Sequence, residues 1–289
     1  MKFGLRYCNV GPWVAPDRAV ELLQAGEDVG FDSAWTIDHV VVPDDYQSAY
    51  PYSESGKMSS GDEDVSRPDP LIWMAYVAAA TTKIKLGTAI LILPQRNPVV
   101  TAKQIATLDV MSGGRMLLGI GVGWLEEEFD AIGVPFAARG KRTDEYVGAM
   151  RELWSEGKAN FQGEFVSFKD IYCNPRPVSG TVPIIVGGHT PAAAKRAGRL
   201  GDGFFPARGV TPELFDIVRR TAEENGRDPD SIEITATAPE DLADIPNLAN
   251  MGVDRIMVPV GLMPNMVKGI ESMDDMPKWR DIIDRYAEV

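Results

Sequence analysis

Three observations predict a single (β/α)8 barrel. Short apolar, strand-like runs recur along the chain and are mostly separated by helical patterns. Several helical patterns start with a proline in the first turn, at Pro16, Pro98, Pro191 and Pro212, and glycines follow the ends at Gly30, Gly157, Gly201, Gly226 and Gly252. The length of 289 residues suits one barrel, although two small domains would also fit. No domain linker, internal repeat or low-complexity tract divides the chain, so residues 1–289 read as one domain. A doubly wound open sheet competes, and the lack of a convincing dinucleotide fingerprint argues against it.

In order, the expected strands are Phe3–Tyr7, Ser33–Ile37, Ile84–Leu93, Met116–Gly121, Ile184–Val186, Gly203–Pro206, Ile232–Thr237 and Arg255–Pro259. The helical patterns between them are Pro16–Val29, Asp69–Thr81, Pro98–Met111, Thr143–Glu156, Pro191–Leu200, Pro212–Asn225 and Pro239–Met251, with a last one near Lys278–Ala287. Two segments exceed what such a barrel needs. Asp38–Pro68 is a long loop rich in Tyr, Ser, Gly and Asp, the length and composition of a lid or binding loop. Lys158–Gly180 contains "NFQGEFVSF", which predicts an inserted β-hairpin turning at Gln162-Gly163 before strand five.

Composition narrows the function. Hydrophobic residues make up 44% and charged residues 25% of the chain, ordinary for a globular protein with a large core. A net charge of −13 opposes general nucleic-acid binding, which needs a basic surface. Two distant cysteines, Cys8 and Cys173, suggest neither a disulfide scaffold nor a zinc site. "MKFGLRYCNV" is too short and polar for a signal or a membrane span, so no membrane is expected and the expected location is cytoplasmic.

Barrel sites lie at the C-terminal ends of the strands. Those positions hold Asp38-His39 after strand two, Leu93 to Asn97 with Arg96 after strand three, "GIGVGWLEEEF" after strand four, Gly187-Gly188-His189-Thr190 after strand five, and Ala207-Arg208 after strand six. Both histidines of the chain fall in this set, which points to function over structure. Gly187-Gly188-His189 leads into Thr190-Pro191, an N-cap and a first-turn proline; such a turn either binds an anion, phosphate above all, or simply enters the helix. "GIGVG" fails as a dinucleotide motif, because Trp124 occupies its sixth position; its glycines would instead let a planar ligand approach the strand. No metal-binding spacing appears. Glu126, Glu127 and Glu128 read as an acidic first helical turn with room for one to face inward. Arg139, Lys141 and Arg142 read as a solvated face, or as the counter-charge to an anionic ligand.

The blocks "FDSAWTIDHVVVP", "KIKLGTAILILPQRNPVVTAKQIATLDVMSGGRMLLGIGVGWLEEEFDAIGVPFAARGKRTDE" and "PIIVGGHTPAAAKRAGRLGDGFFP" resemble the luciferase-like flavin and deazaflavin oxidoreductases, most of all their coenzyme F420-dependent branch. The likeness runs nearly collinearly from Met1 to about Arg208. It implies a TIM barrel with an inserted segment and a flavin-type ring over strands two to four. By the resemblance, Asp38 and His39 are the acidic-His pair beside the ring, and Thr88-Ala89-Ile90 are a bulge with a cis or strongly distorted Ala89–Ile90 peptide. Gly121, Val122 and Gly123 then border the ring, and Gly187, Gly188, His189 and Thr190 hold the cofactor phosphate. Trp124 stands where sugar-oxidising members carry a glutamate, so it packs on the ring or an apolar substrate, and sugar-phosphate oxidation is not implied.

The expected activity is hydride exchange between F420 and a small organic substrate. His39 moves the proton, and Asp38 orients His39 or bonds the ring. Arg96, Arg208 or the Arg139–Arg142 cluster meets the anionic tail of F420. One alternative is an FMN-dependent monooxygenase supplied with reduced flavin by a partner reductase; another is a flavin-binding protein without catalysis. The resemblance also implies a homodimer.

Overall fold

In a computed structural model, described for residues 1–58, 62–261 and 269–288, strands and helices alternate as the sequence predicts. The strands are β1 (Lys2–Arg6), β2 (Ser33–Thr36), β3 (Lys85–Thr88), β4 (Leu91–Ile92), β5 (Met116–Gly121), β6 (Ala159–Gln162), β7 (Ser167–Ile171), β8 (Ile184–Gly187), β9 (Gly203–Phe205), β10 (Glu233–Thr237) and β11 (Arg255–Pro259). The helices are α1 (Pro16–Val29), α2 (Pro70–Ala78), α3 (Pro98–Ser112), α4 (Glu126–Ala131), α5 (Arg139–Trp154), α6 (Pro191–Leu200), α7 (Pro212–Glu224), α8 (Ile245–Asn250) and α9 (Met276–Tyr286).

The ring runs β3-β2-β1-β11-β10-β9-β8-β5 and closes where β3 pairs with β5; every pairing in it is parallel. The expected third strand is split: β3 and β4 are separated at Ala89-Ile90, whose peptide is cis, and β4 continues the pairing with β5. The expected hairpin is β6–β7, antiparallel, its connection held where Glu145 on α5 accepts N–H bonds from Glu164, Phe165 and Val166. The helix expected over Pro239–Met251 shortens to α8, preceded by a 3-10 turn at Leu242–Asp244.

Strand alternation sorts the core into two layers. Phe3 and Leu5 of β1 face outward, into the main apolar cluster shared with α1 and α9. Inside the barrel, Trp35, Ala89, Leu117, Ile185, Phe205 and Met257 form a separate buried cluster. Trp35 crosses that space so closely that a Cβ on Gly87 would lie 2.4 Å from its ring, which explains the glycine on β3.

The N-terminal end of the barrel is closed by charge. Arg255 is 1% exposed, lies 5.4 Å from the Trp35 ring centroid, and binds Asp32 at 2.8 Å and also Glu233. Lys85 and Lys2 extend the network to Asp32 and Glu233 at 3.2 and 2.6 Å. Burial would raise the Asp32 carboxyl, but Arg255 and Lys85 outweigh it and hold it below the ordinary carboxylate range. Other carboxylates at this end receive strand-leading N–H groups: Asp202 from Ile184, and Asp254 from Ile234.

Candidate active site

The C-terminal end gathers the residues that the sequence singles out, in two groups. The first is built on β2, β4 and the segment after β5. Asp38 follows β2, is 5% exposed, and accepts the Ile92 N–H and an Arg96 N–H, both at 3.0 Å. Arg96 also donates to Asp69 at 3.2 Å, while Asp69 caps α2 by accepting from Leu71 and Ile72. Burial pushes the Asp38 carboxyl up, against the lowering pull of Arg96 and of the Ile92 N–H. For Arg96, burial acts downward, but Asp38 and Asp69 dominate and strengthen its charge.

Arg96 is held between two carboxylates, which leaves less of its charge for an anionic tail. Of the two roles expected of Asp38, orienting His39 falls to another residue. The partner of His39 is Glu128, whose side chain is wholly buried and whose Oε2 lies 3.1 Å from His39 Nδ1. Glu128 Oε1 accepts the Val40 and Val41 N–H groups, so one carboxylate fixes both the imidazole and the start of the long loop. Glu127 accepts from Gln47 and Ser48, and the Glu126 N–H donates to Ser48 Oγ. The acidic turn therefore anchors the loop as well as beginning α4.

The loop brings aromatic rings over this group. Trp124 meets His39 edge-on at 6.3 Å between centroids, Tyr46 at 5.4 Å and Tyr50 at 5.1 Å. Tyr46, Met58 and Leu125 form a small buried cluster beneath, and the Met58 N–H donates to the Tyr46 hydroxyl.

The glycines of strand four make room for the neighbouring strand. A Cβ on Gly119 would meet the Thr88 carbonyl, and one on Gly121 or Gly187 would lie 2.3 or 2.4 Å from the Ile90 side chain. Thr88 adds a 2.6 Å hydrogen bond to the Gly119 carbonyl. Thr88, Ala89 and Ile90 thus lock against β5 and β8, with Val122 half-buried beyond them. Gly123, at φ +78, accepts an Arg139 N–H at 3.0 Å through its carbonyl.

The basic cluster is also not a solvated face. Because α5 begins at Arg139 rather than Thr143, Arg139 and Arg142 fall in its first turn. Arg142 is 5% exposed and donates to the carbonyls of Pro135 and Ala137. Arg139 stacks 3.7 Å from the Phe136 ring centroid. Lys141 alone is exposed.

The second group opens at α6. Thr190 accepts the Ala193 N–H at 3.2 Å and Pro191 takes the first helical position, as the motif predicts. Gly188 has φ +132, and a Cβ there would lie 2.8 Å from that of Ala193, so the turn requires glycine. His189 packs beside the Arg208 N–H and the Thr211 hydroxyl at 3.4 and 3.5 Å. Burial, followed by the Arg208 charge, holds its pKa below the ordinary imidazole value. Ile90, touching Gly121 and Gly187, joins the two groups.

At this end the Gln95 amide, which follows β4, is buried without a partner at either atom, and so are Arg6 Nε and Arg96 Nε. Gln95 and Arg6 did not stand out in the sequence: Gln95 lay unremarked inside a strand-end block, and Arg6 inside a strand. Among the described residues no cluster suits a metal ion, and no helix is long and apolar enough to cross a membrane.

An uncharacterised Mycobacterium tuberculosis protein is 32% identical over 245 residues, 83% of each chain. The F420-dependent glucose-6-phosphate dehydrogenase of Kineococcus radiotolerans is 33% identical over 230 residues, 76% of this chain and 63% of that one. Among solved structures, an F420-dependent tetrahydromethanopterin reductase from Methanopyrus kandleri superposes with a TM-score of 0.72 at 19% identity, over 98% of this chain and 96% of that one. A long-chain alkane monooxygenase does so at 0.69 and 16%, over 87% and 68%. The two structures share the fold, and the sequence match to the luciferase-like monooxygenase family spans residues 7–257, so the chain belongs to that family.

Proposed function

We propose that the protein is an F420-dependent oxidoreductase that exchanges a hydride between the deazaflavin and a small organic substrate. The observation that carries this reading is His39 held by the buried Glu128 at the strand-two end. With Nδ1 directed at Glu128, the other ring nitrogen is left to take or give the substrate proton. F420 would supply hydride acceptance or donation at its C5 carbon. The F420-dependent relatives support this cofactor.

The residues present fit such a group. Gly187, Gly188, His189 and Thr190 offer the α6 start to a phosphate, Gln95 holds an unpaired amide, and Arg208, exposed, remains for an anionic tail. Asp38 with Arg96 supports the strand-two edge, and Trp124 supplies an apolar wall rather than a proton donor. Sugar-phosphate oxidation is not proposed.

Flavin monooxygenases share the fold, so FMN with a reductase partner is the second reading, and ring binding without turnover the third. Side-by-side titration with F420 and FMN separates them. F420 should bind more tightly, and Arg208→Ala should weaken F420 more than FMN, which lacks the tail. Tighter FMN binding throughout would transfer the assignment to the monooxygenase. Ile72, Tyr76, Val100 and Met111, left exposed on α2 and α3, support a homodimer.

A further inference from the structure

Arg6 ends β1 and points into the barrel mouth, as the alternation with the outward Phe3 and Leu5 requires. Its guanidinium carbon lies 4.5 Å from the Tyr7 ring centroid and 4.8 Å from that of Phe205. It makes one hydrogen bond, to the Thr237 hydroxyl at 3.3 Å, and its Nε is buried without a partner. Among the described residues no carboxylate pairs with it.

Arg96 and Arg255 leave Nε without a partner too, so what sets Arg6 apart is the lack of a countercharge. Arg255 sits between Asp32 and Glu233, Arg96 between Asp38 and Asp69, and Arg196 binds Asp144. Arg115 directs its guanidinium at the Ser112, Ile84, Ala78 and Thr81 oxygens. A guanidinium packed on aromatic faces keeps its edge donors free, and that edge matches an oxyanion in two-pronged fashion. Tyr52 comes within electrostatic reach of Arg6, Tyr7 and Arg208. It also meets Tyr50 edge-on at 5.3 Å, and Tyr50 leads through Trp124 to His39. A row of aromatic rings therefore runs from His39 through Trp124 and Tyr50 to Tyr52, on the side of the mouth that Arg6 faces.

We propose that Arg6 binds an oxyanion, carboxylate or phosphate, carried by the substrate, so that the substrate class is small organic acids. The inference rests on the reading of this mouth as the catalytic site. In a chain of net charge −13, one unpaired cation inside the mouth would draw an anionic substrate inward and fix one of its ends.

The test measures binding of benzoate, phenyl phosphate and neutral benzamide to the purified protein by calorimetry, with F420 and FMN titrated on the same samples. Benzoate or phenyl phosphate should bind at least about tenfold more tightly than benzamide, and whichever anion is preferred identifies the group. Arg6→Met should abolish that preference while leaving cofactor affinity within about twofold. Should Arg6→Met fail to fold, Arg6→Lys carries the test: it keeps the charge, loses the paired donors, and should reduce the preference about threefold or more. Equal binding of benzamide and the anions, or a preference that survives Arg6→Met, overturns the proposal. So does a loss of cofactor affinity as large as the loss of anion affinity, which would assign Arg6 to the cofactor. If neither F420 nor FMN binds while the preference for anions persists, the proposed function fails and the anion site stands.

Discussion

The two ends of the barrel each place an arginine against aromatic rings, Arg255 buried and Arg6 half-buried, and the two differ in what balances their charge. At the N-terminal end Arg255 is surrounded by Asp32, Glu233, Lys85 and Lys2 in a closed network. At the C-terminal end Arg6 rests on two aromatic rings with one hydroxyl for company. A buried charge is costly unless it is compensated. Both leave Nε without a partner, but Arg255 has two carboxylates as countercharge, whereas Arg6 has none among the described residues, which leaves its charge to something that arrives from outside.

The sharpest way to break the comparison is to damage each end and ask what is lost. Gly188→Val at the C-terminal end, forced against Ala193 at a positive φ, should abolish binding of F420 and FMN alike in a protein whose circular dichroism is unchanged. Arg255→Met at the other end should leave Asp32 and Glu233 facing each other without their shared cation and cost about 3 kcal/mol in urea denaturation. If Gly188→Val unfolds the chain, or Arg255→Met costs nothing, the division between the ends is wrong.

Next in size is Glu128→Gln. The amide keeps an acceptor for Val40 but loses the charge opposite His39, so kcat should fall about 10- to 100-fold with a displaced pH profile. A purely structural role would change stability and leave the pH profile in place.

The smallest effect concerns acid. Glu27 at the N-terminal end is held down to about 2 from an ordinary 4.5: burial acts in the opposite direction, and the N–H groups of Ile84, Lys83 and Thr82 with the Thr82 hydroxyl outweigh it. A depressed folded pKa stabilises the protein above the unfolded value, and that stability is lost as pH falls from about 4.5 towards 2. After screening by solvent the contribution is about 1 kcal/mol. Glu27→Gln should flatten stability across that window and change nothing at pH 7 in the titrations of the opposite end.

What the sequence made legible follows the same division. Strand and helix order could be read because each βα unit carries its own apolar period and its own proline and glycine punctuation, and "NFQGEFVSF" marked the hairpin. Asp38, His39 and the Gly188 turn were visible because they sit beside strand ends. Glu128 was harder: in a run of three glutamates nothing local says which one turns inward, and its burial comes from the loop folding over it. Arg142 looked exposed because α5 starts a turn earlier than its apolar pattern does. Arg6 reads as an ordinary strand residue, since its isolation depends on which strands become its neighbours.

Trp35, with Phe205, Met257, Leu117 and Ile185 around it, puts a solid floor beneath the C-terminal mouth. Among the described residues these side chains fill the barrel axis, so a molecule bound at this end would come and go by the mouth. Two visitors held at different depths in a blind well must queue: the deeper arrives first and departs last, and their exchange kinetics become ordered rather than random.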